Sequence, residues 1–298
     1  MLTPFKPDGE VDYEGLWRLT DWYIENGCSG LFAVCQSSEM FFLSKEERLN
    51  VARSVVEYAK SRVPVIACGN LSGTLDEQVI ETDQMAGTGV DAVILITNQF
   101  ASAEESDAVW LERCEEFLKR IDGDIPLGFY ECPYPYKRLI SLENLKKCAG
   151  TGRFYFLKDT CCDLETIKRR LDAVSGTTLK IYNANSATLL DSLLWGAHGF
   201  SGVMANFHPA LYAYLCSHMR DGHIQKLQDF LTVAAWAENK YYPMNAKYYL
   251  RKCEGLPIDT YCRKLDGEGM NETLRREMEM FHELTAKVEE YYTQQKVL

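Results

Sequence analysis

Short apolar runs alternate along this chain with longer amphipathic stretches. Seven runs read as strands: 29–34 (SGLFAV), 63–69 (VPVIACG), 91–96 (DAVILI), 125–131 (IPLGFYE), 154–159 (FYFLKD), 179–184 (LKIYNA) and 199–204 (GFSGVM). Their near-continuous apolar character fits parallel strands covered on both faces. Helical spacing predicts helices at 12–26, 45–60, 75–87, 104–119, 142–148, 163–173 and 186–195. Ser44-Lys-Glu-Glu47 has the form of a capping box, and Asp12 and Ser186 are expected N-caps. Residues 2–5 are expected to be the tail of an eighth strand. Beyond His208 the strand pattern stops, and helices are predicted at 209–220, 224–239, 246–253 and 271–293.

Each strand–helix repeat takes about 25–35 residues, which eight units of a closed parallel barrel accommodate. An open doubly wound sheet would want a glycine-rich phosphate turn after its first strand, and neither GxGxxG nor GxxxxGK[ST] is present. The expected fold is therefore an α/β (β/α)₈ barrel over 1–207, with a C-terminal helical region over 208–298 packed on it as one compact unit.

Composition narrows the function. The 298 residues are 46% hydrophobic and 25% charged, with a net charge of −11. That balance speaks against nucleic acid or an anionic membrane as partner. No apolar run reaches the roughly 18 residues of a membrane span, and no leader-like segment opens the sequence, so a cytoplasmic location is expected. The 11 cysteines form no CxxC pair, and the five histidines show no ligand spacing. Reduced thiols are expected, and neither a metal nor a separate cofactor.

In a barrel the chemistry sits where the strands end at their C-termini. Lys158 closes an apolar strand, where an ammonium loses hydration and the uncharged amine needed for imine formation is favoured. From pattern alone this stands level with a strand-end lysine that points outward and pairs with Asp159. Tyr130 ends the preceding strand, where its phenol is placed to pass protons or simply to pack as an aromatic. Gln36 and Ser37 lie in a small polar turn of the kind that binds carboxylates.

Several motifs, in order, resemble the dihydrodipicolinate synthase / N-acetylneuraminate lyase family over almost the whole chain. They are Thr3-Pro-Phe5 with Gly9-Glu-Val-Asp12, Glu39 through Leu43-Ser44-Lys-Glu-Glu-Arg48, Gly89-Val-Asp-Ala92, Tyr130-x-x-Pro133, Leu157-Lys-Asp159, and Gly196-Ala-x-Gly199 with Ala205-Asn206. The resemblance implies a (β/α)₈ barrel, usually a homotetramer, so a homo-oligomer (dimer or tetramer) is expected. It implies a covalent lysine–pyruvate imine on Lys158 and a tyrosine relay through Tyr130. Gln36 and Ser37 fall in the family's carboxylate turn. Asn183 stands where the family contacts the distal part of its substrate, and Ser201, in the next strand, is counted with it as substrate-binding.

The departures are equally specific. The family's Gly-Thr-Thr-Gly-Glu turn reads Cys35-Gln36-Ser37-Ser38-Glu39, so any left-handed glycine conformation there would now be strained. Phe100 stands where the synthases place a relay tyrosine that reaches a neighbouring subunit. Pro135 stands where they hold a second carboxylate with arginine, though Lys137 and Arg138 follow, and Glu131 replaces a common asparagine. The expected activity is a Schiff-base-forming lyase or aldolase joining or cleaving a 2-keto acid and an aldehyde, and not a true dihydrodipicolinate synthase. A keto-sugar-acid dehydratase or hydratase, with Glu131 and the altered turn supplying its proton path, and a catalytically idle binding or regulatory homologue are the alternatives.

Overall fold

The computed structural model describes residues 1–294, which fall into two compact units: Met1–Pro64 with the chain from Gly202 onward, and Val65–Ser201. The helical tail is thus not a body of its own, because it belongs with the first 64 residues.

The second unit carries strands β2 (Val65–Cys68), β3 (Ala92–Ile96), β4 (Leu127–Tyr130), β5 (Phe154–Asp159), β6 (Lys180–Asn183) and β7 (Gly199–Phe200), with β1 (Leu31–Val34) lying in the first. From β2 to β7 every pairing is parallel and between sequence neighbours. Helices α3 (Leu75–Ala86), α4 (Asp107–Arg120), α5 (Leu142–Gly150), α6 (Leu164–Val174) and α7 (Leu189–Leu194) fill the connections. Gly128 is required where it sits. A side chain there would lie 2.6 Å from Ile94 Cδ1 and 2.9 Å from Phe156 Cβ, too close for any residue with a Cβ. Helix α7 starts later than predicted: Ser186 is not its cap, and Asn185 instead accepts from the Thr188 amide at 3.1 Å.

The first unit contains α1 (Tyr13–Glu25), α2 (Lys45–Ala59), α8 (Pro209–Ser217), α9 (Ile224–Ala234), α10 (Met244–Lys252) and α11 (Glu272–Gln294). Asp12 caps α1, and Ser44 with Glu47 forms the predicted capping box of α2 at 2.8 and 3.2 Å. Residues 2–5 are buried but form no strand; Phe5 makes only an isolated antiparallel bridge to Val11. The expected strand at 199–204 breaks after Phe200 into a single 3₁₀ turn, Val203–Asn206.

His208, just before α8, is fully enclosed by Tyr212, Phe230 and Phe281, and neither ring nitrogen has a hydrogen-bond partner. Burial pushes its imidazole down from 6.5 to about 3. Between those values the unfolded chain takes up a proton that the folded chain refuses. Stability is therefore intact above the upper value and is lost as pH falls toward the lower, by at most about 1.4 kcal/mol per pH unit. His208→Phe should narrow the gap between urea midpoints measured at pH 7 and pH 5; a gap as wide as that of the parent chain would show that His208 does not titrate this way.

Candidate active site

Residues at successive register positions share one face of the parallel sheet. Ile96, Tyr130, Lys158, Tyr182 and Gly199 form one such row across five strands, near their C-terminal ends. Lys158 and Tyr130 are both buried, and the Lys158 Nζ sits 4.6 Å from the centroid of the Tyr130 ring. The lysine therefore does not point outward to pair with Asp159. Tyr182, which sequence reasoning passed over, continues the row, its ring stacked on Phe156 at 4.8 Å. Burial raises its phenol above the ordinary value.

The residues immediately after Tyr130 and Lys158 take the opposite direction, as strand alternation demands. Glu131 and Asp159 meet Arg170 from α6 in a fully enclosed triad. Arg170 donates to Glu131 at 2.7 and 3.0 Å, to Asp159 at 2.5 Å and to the Ile140 carbonyl at 2.8 Å. Glu131 also accepts from the amides of Ile140 and Thr160. Burial pushes the Glu131 carboxyl up, Arg170 pulls it down and Asp159 pushes it up again, with a net upward result. Both carboxylate oxygens of Glu131 are thus engaged away from the lysine, so the residue is a strut between β4, β5 and α6 and not a proton path.

Asn183 lies on this outer side too, in register with Asp159. Its amide donates to Thr188 and Ser192 at 2.9 and 3.0 Å and its oxygen accepts from the Asn185 amide, which ties β6 to α7. The structure therefore separates Asn183 from Lys158, correcting its assignment to substrate. Ser201 is half-buried just past β7, its amide donating to the Asn183 carbonyl at 2.8 Å. Phe100 is fully buried against Trp110 and Phe117, each at 5.5 Å, so it is a core residue and not a group reaching outward. Arg138 is committed to the Ser102 and Glu105 carbonyls and to Asp107, whereas exposed Lys137 donates to the Thr160 carbonyl at 2.8 Å.

In the first unit, Gln36–Ser38 form a single 3₁₀ turn directly after β1 and Cys35. The two lost glycines cause no strain: Cys35 is extended (φ −149°), and Ser38 clips the turn by donating to the Cys35 carbonyl at 2.6 Å and accepting from its amide at 2.8 Å. The left-handed residue is Glu39, at φ 59°. Ser37 is buried and lies close to the Tyr242 phenol. Tyr242 in turn accepts from Asn206 at 3.0 Å, and Asn206 accepts from Tyr23 at 2.5 Å. Tyr23 and Tyr242 lay in unremarkable polar–apolar stretches, and nothing in their spacing announced this chain of contacts. Glu39 makes a wholly enclosed ion pair with Lys247 of α10 at 2.7 Å and accepts from the amides of Arg263 and Lys264.

Among the described residues no helix is long and apolar enough to cross a membrane, and no group of three or more histidine, cysteine or carboxylate side chains is placed to hold a metal ion.

The parallel sheet and its connecting helices have close counterparts among solved structures. The chain superposes with a TM-score of 0.84 on a chloride-inhibited dihydrodipicolinate synthase from Acinetobacter baumannii complexed with pyruvate, at 23% identity and covering 96% of this chain and 97% of that one. It matches with the same TM-score, 0.84, a prophage protein of the dihydrodipicolinic acid synthase family from E. coli K12 in complex with pyruvate, at 21% identity and 96% of each chain. These define the fold as the (β/α)₈ barrel with its C-terminal helices. The model of the dihydrodipicolinate synthetase family matches residues 1–279, and the chain belongs to that family, whose members are aldolase-type lyases. Its relatives include the 4-hydroxy-tetrahydrodipicolinate synthases of Alcanivorax borkumensis, 30% identical over 72% of this chain and 71% of that one, and of Pseudoalteromonas atlantica, 27% identical over 77% and 76%.

Proposed function

We propose that the protein is a class I aldolase-type lyase that holds a pyruvate-type 2-keto acid as an imine on Lys158. The observation that carries this reading is the placement of the Lys158 Nζ against the Tyr130 ring, both buried on one face of the sheet. The amine would add to the keto carbon, and loss of water would leave the carbon–nitrogen double bond. Tyr130 would carry protons to and from the departing oxygen. Pyruvate in two structural neighbours supports the choice of keto acid. Gln36 and Ser37 are assigned to its carboxylate by their place in the family turn.

The partner would be an aldehyde bearing hydroxyls and not a second carboxylate. Pro135 offers no donor at the arginine position, and Arg138 is already consumed by Ser102, Glu105 and Asp107 at the start of α4. The enclosure of Glu131 speaks against its serving as the proton path of a dehydratase, the role that alternative gave to it and to the altered turn. A homo-oligomer belongs to this reading and would be checked by sedimentation.

Borohydride reduction in the presence of pyruvate should trap one substrate per chain, on the peptide containing Lys158. No adduct, or an adduct on another lysine, would end the proposal. Tyr130→Phe should still be trapped, but its turnover should fall about 10²–10⁴-fold, the range expected for losing a positioned proton carrier.

A further inference from the structure

The first unit holds a cleft of about 790 Å³ between α10, the loop that follows it and the start of α11. Five cations line it, Arg251, Lys252, Arg263, Lys264 and Arg275, against the two carboxylates Asp259 and Asp266. This is the reverse of the balance in the chain as a whole, which carries −11.

Two of the five are already neutralised. Arg263 forms a fork on Glu47 at 2.6 and 2.8 Å, and Arg251 pairs with Asp259 at 2.8 Å. Asp266, for its part, accepts from Tyr241 at 2.7 Å. Lys252, Lys264 and Arg275 are exposed, and among the described residues none of their side chains takes part in an ion pair or hydrogen bond. A basic pair in the last turn of α10 is ordinary helix-end chemistry, but Lys264 and Arg275 come from two other segments and that explanation does not reach them. Buried Met244 and Met270 and the ring of Tyr248 give the cleft an apolar lining.

We propose that this cleft is a binding site for a small organic phosphate, with Lys252, Lys264 and Arg275 on the phosphate group and the methionines and Tyr248 against the organic part. Three cations contributed to one cleft by separate segments suit a dianion with several acceptor oxygens, which a guanidinium meets with two parallel hydrogen bonds. The site is distinct from Lys158, which lies in the other unit.

The test is titration calorimetry on the intact protein with inorganic phosphate, adenosine monophosphate and citrate, at low and high salt. Adenosine monophosphate should bind more tightly than inorganic phosphate, weaken as salt rises, and be unaffected by saturating pyruvate. Lys264→Ala with Arg275→Ala should weaken it roughly tenfold or more for each cation lost, with the thermal midpoint of the free protein unchanged. No binding of either phosphate at millimolar concentration, binding untouched by the double substitution, or competition by pyruvate would each overturn the site. Citrate binding in place of both phosphates would overturn the assignment to phosphate.

Discussion

Arg170→Met should destabilise the protein by about 3–5 kcal/mol, the cost of taking one partner from a buried ion pair. The replacement fills much of the same space, so lost volume is a minor part of the effect. What remains is two carboxylates, Glu131 and Asp159, enclosed side by side without a cation. Their folded-state protonation would be favoured relative to the unfolded chain. A carboxyl raised in this way supports the fold at low pH and loses that support as pH rises through its folded value. Urea midpoints should therefore show the variant closest to the parent near pH 5 and furthest from it near pH 8. Adding Glu131→Gln should recover part of the loss at the higher pH. A single substitution tolerated with less than about 1 kcal/mol, at the level of an exposed pair, would mean that the triad is not enclosed as described.

Lys158→Ala should abolish borohydride trapping altogether and reduce turnover to background. Lys158→Arg is the sharper comparison. It keeps a cation against the Tyr130 ring, but a guanidinium stays charged and offers no free amine to a ketone. Both variants should fold, because neither residue of the Lys158–Tyr130 pair participates in the Glu131–Asp159–Arg170 triad. Trapping that survived in either variant would transfer the chemistry to another amine.

The fold was legible in the sequence to the extent that its periodicities were clean. The strand 154–159 coincides with β5, and most helices end within a few residues of their predicted limits. Accuracy failed where local polar contacts decide the backbone. The Val203–Asn206 turn carries apolar residues that resemble a continuing strand, and the start of α7 is set by Asn183 and Asn185. Lys158 and Tyr130 were visible because a polar residue closing an apolar strand is conspicuous. Asn183 is assigned to substrate by its place in the family pattern, which does not say which face a strand-end residue takes; here its amide turns toward α7. Arg170 was hidden in an Arg169-Arg170 pair on an amphipathic helix, with nothing to mark which of the two turns inward. Register supplies what composition cannot: once Tyr130 and Lys158 are placed opposite one another, Glu131 and Asp159 must share the other side.

The enclosed contact of Glu39 with Lys247 spans 208 positions of chain. A ribosome finishes the Gln36–Ser38 segment long before it makes the cation that neutralises the next residue. Until α10 emerges, Glu39 has good reason to stay in water, and the turn preceding it is held only by its local clip between Ser38 and Cys35. Nascent chains halted before Lys247 should therefore leave the segment around Glu39 unsettled, however well their early strands have collapsed, so this part of the fold is completed late in synthesis.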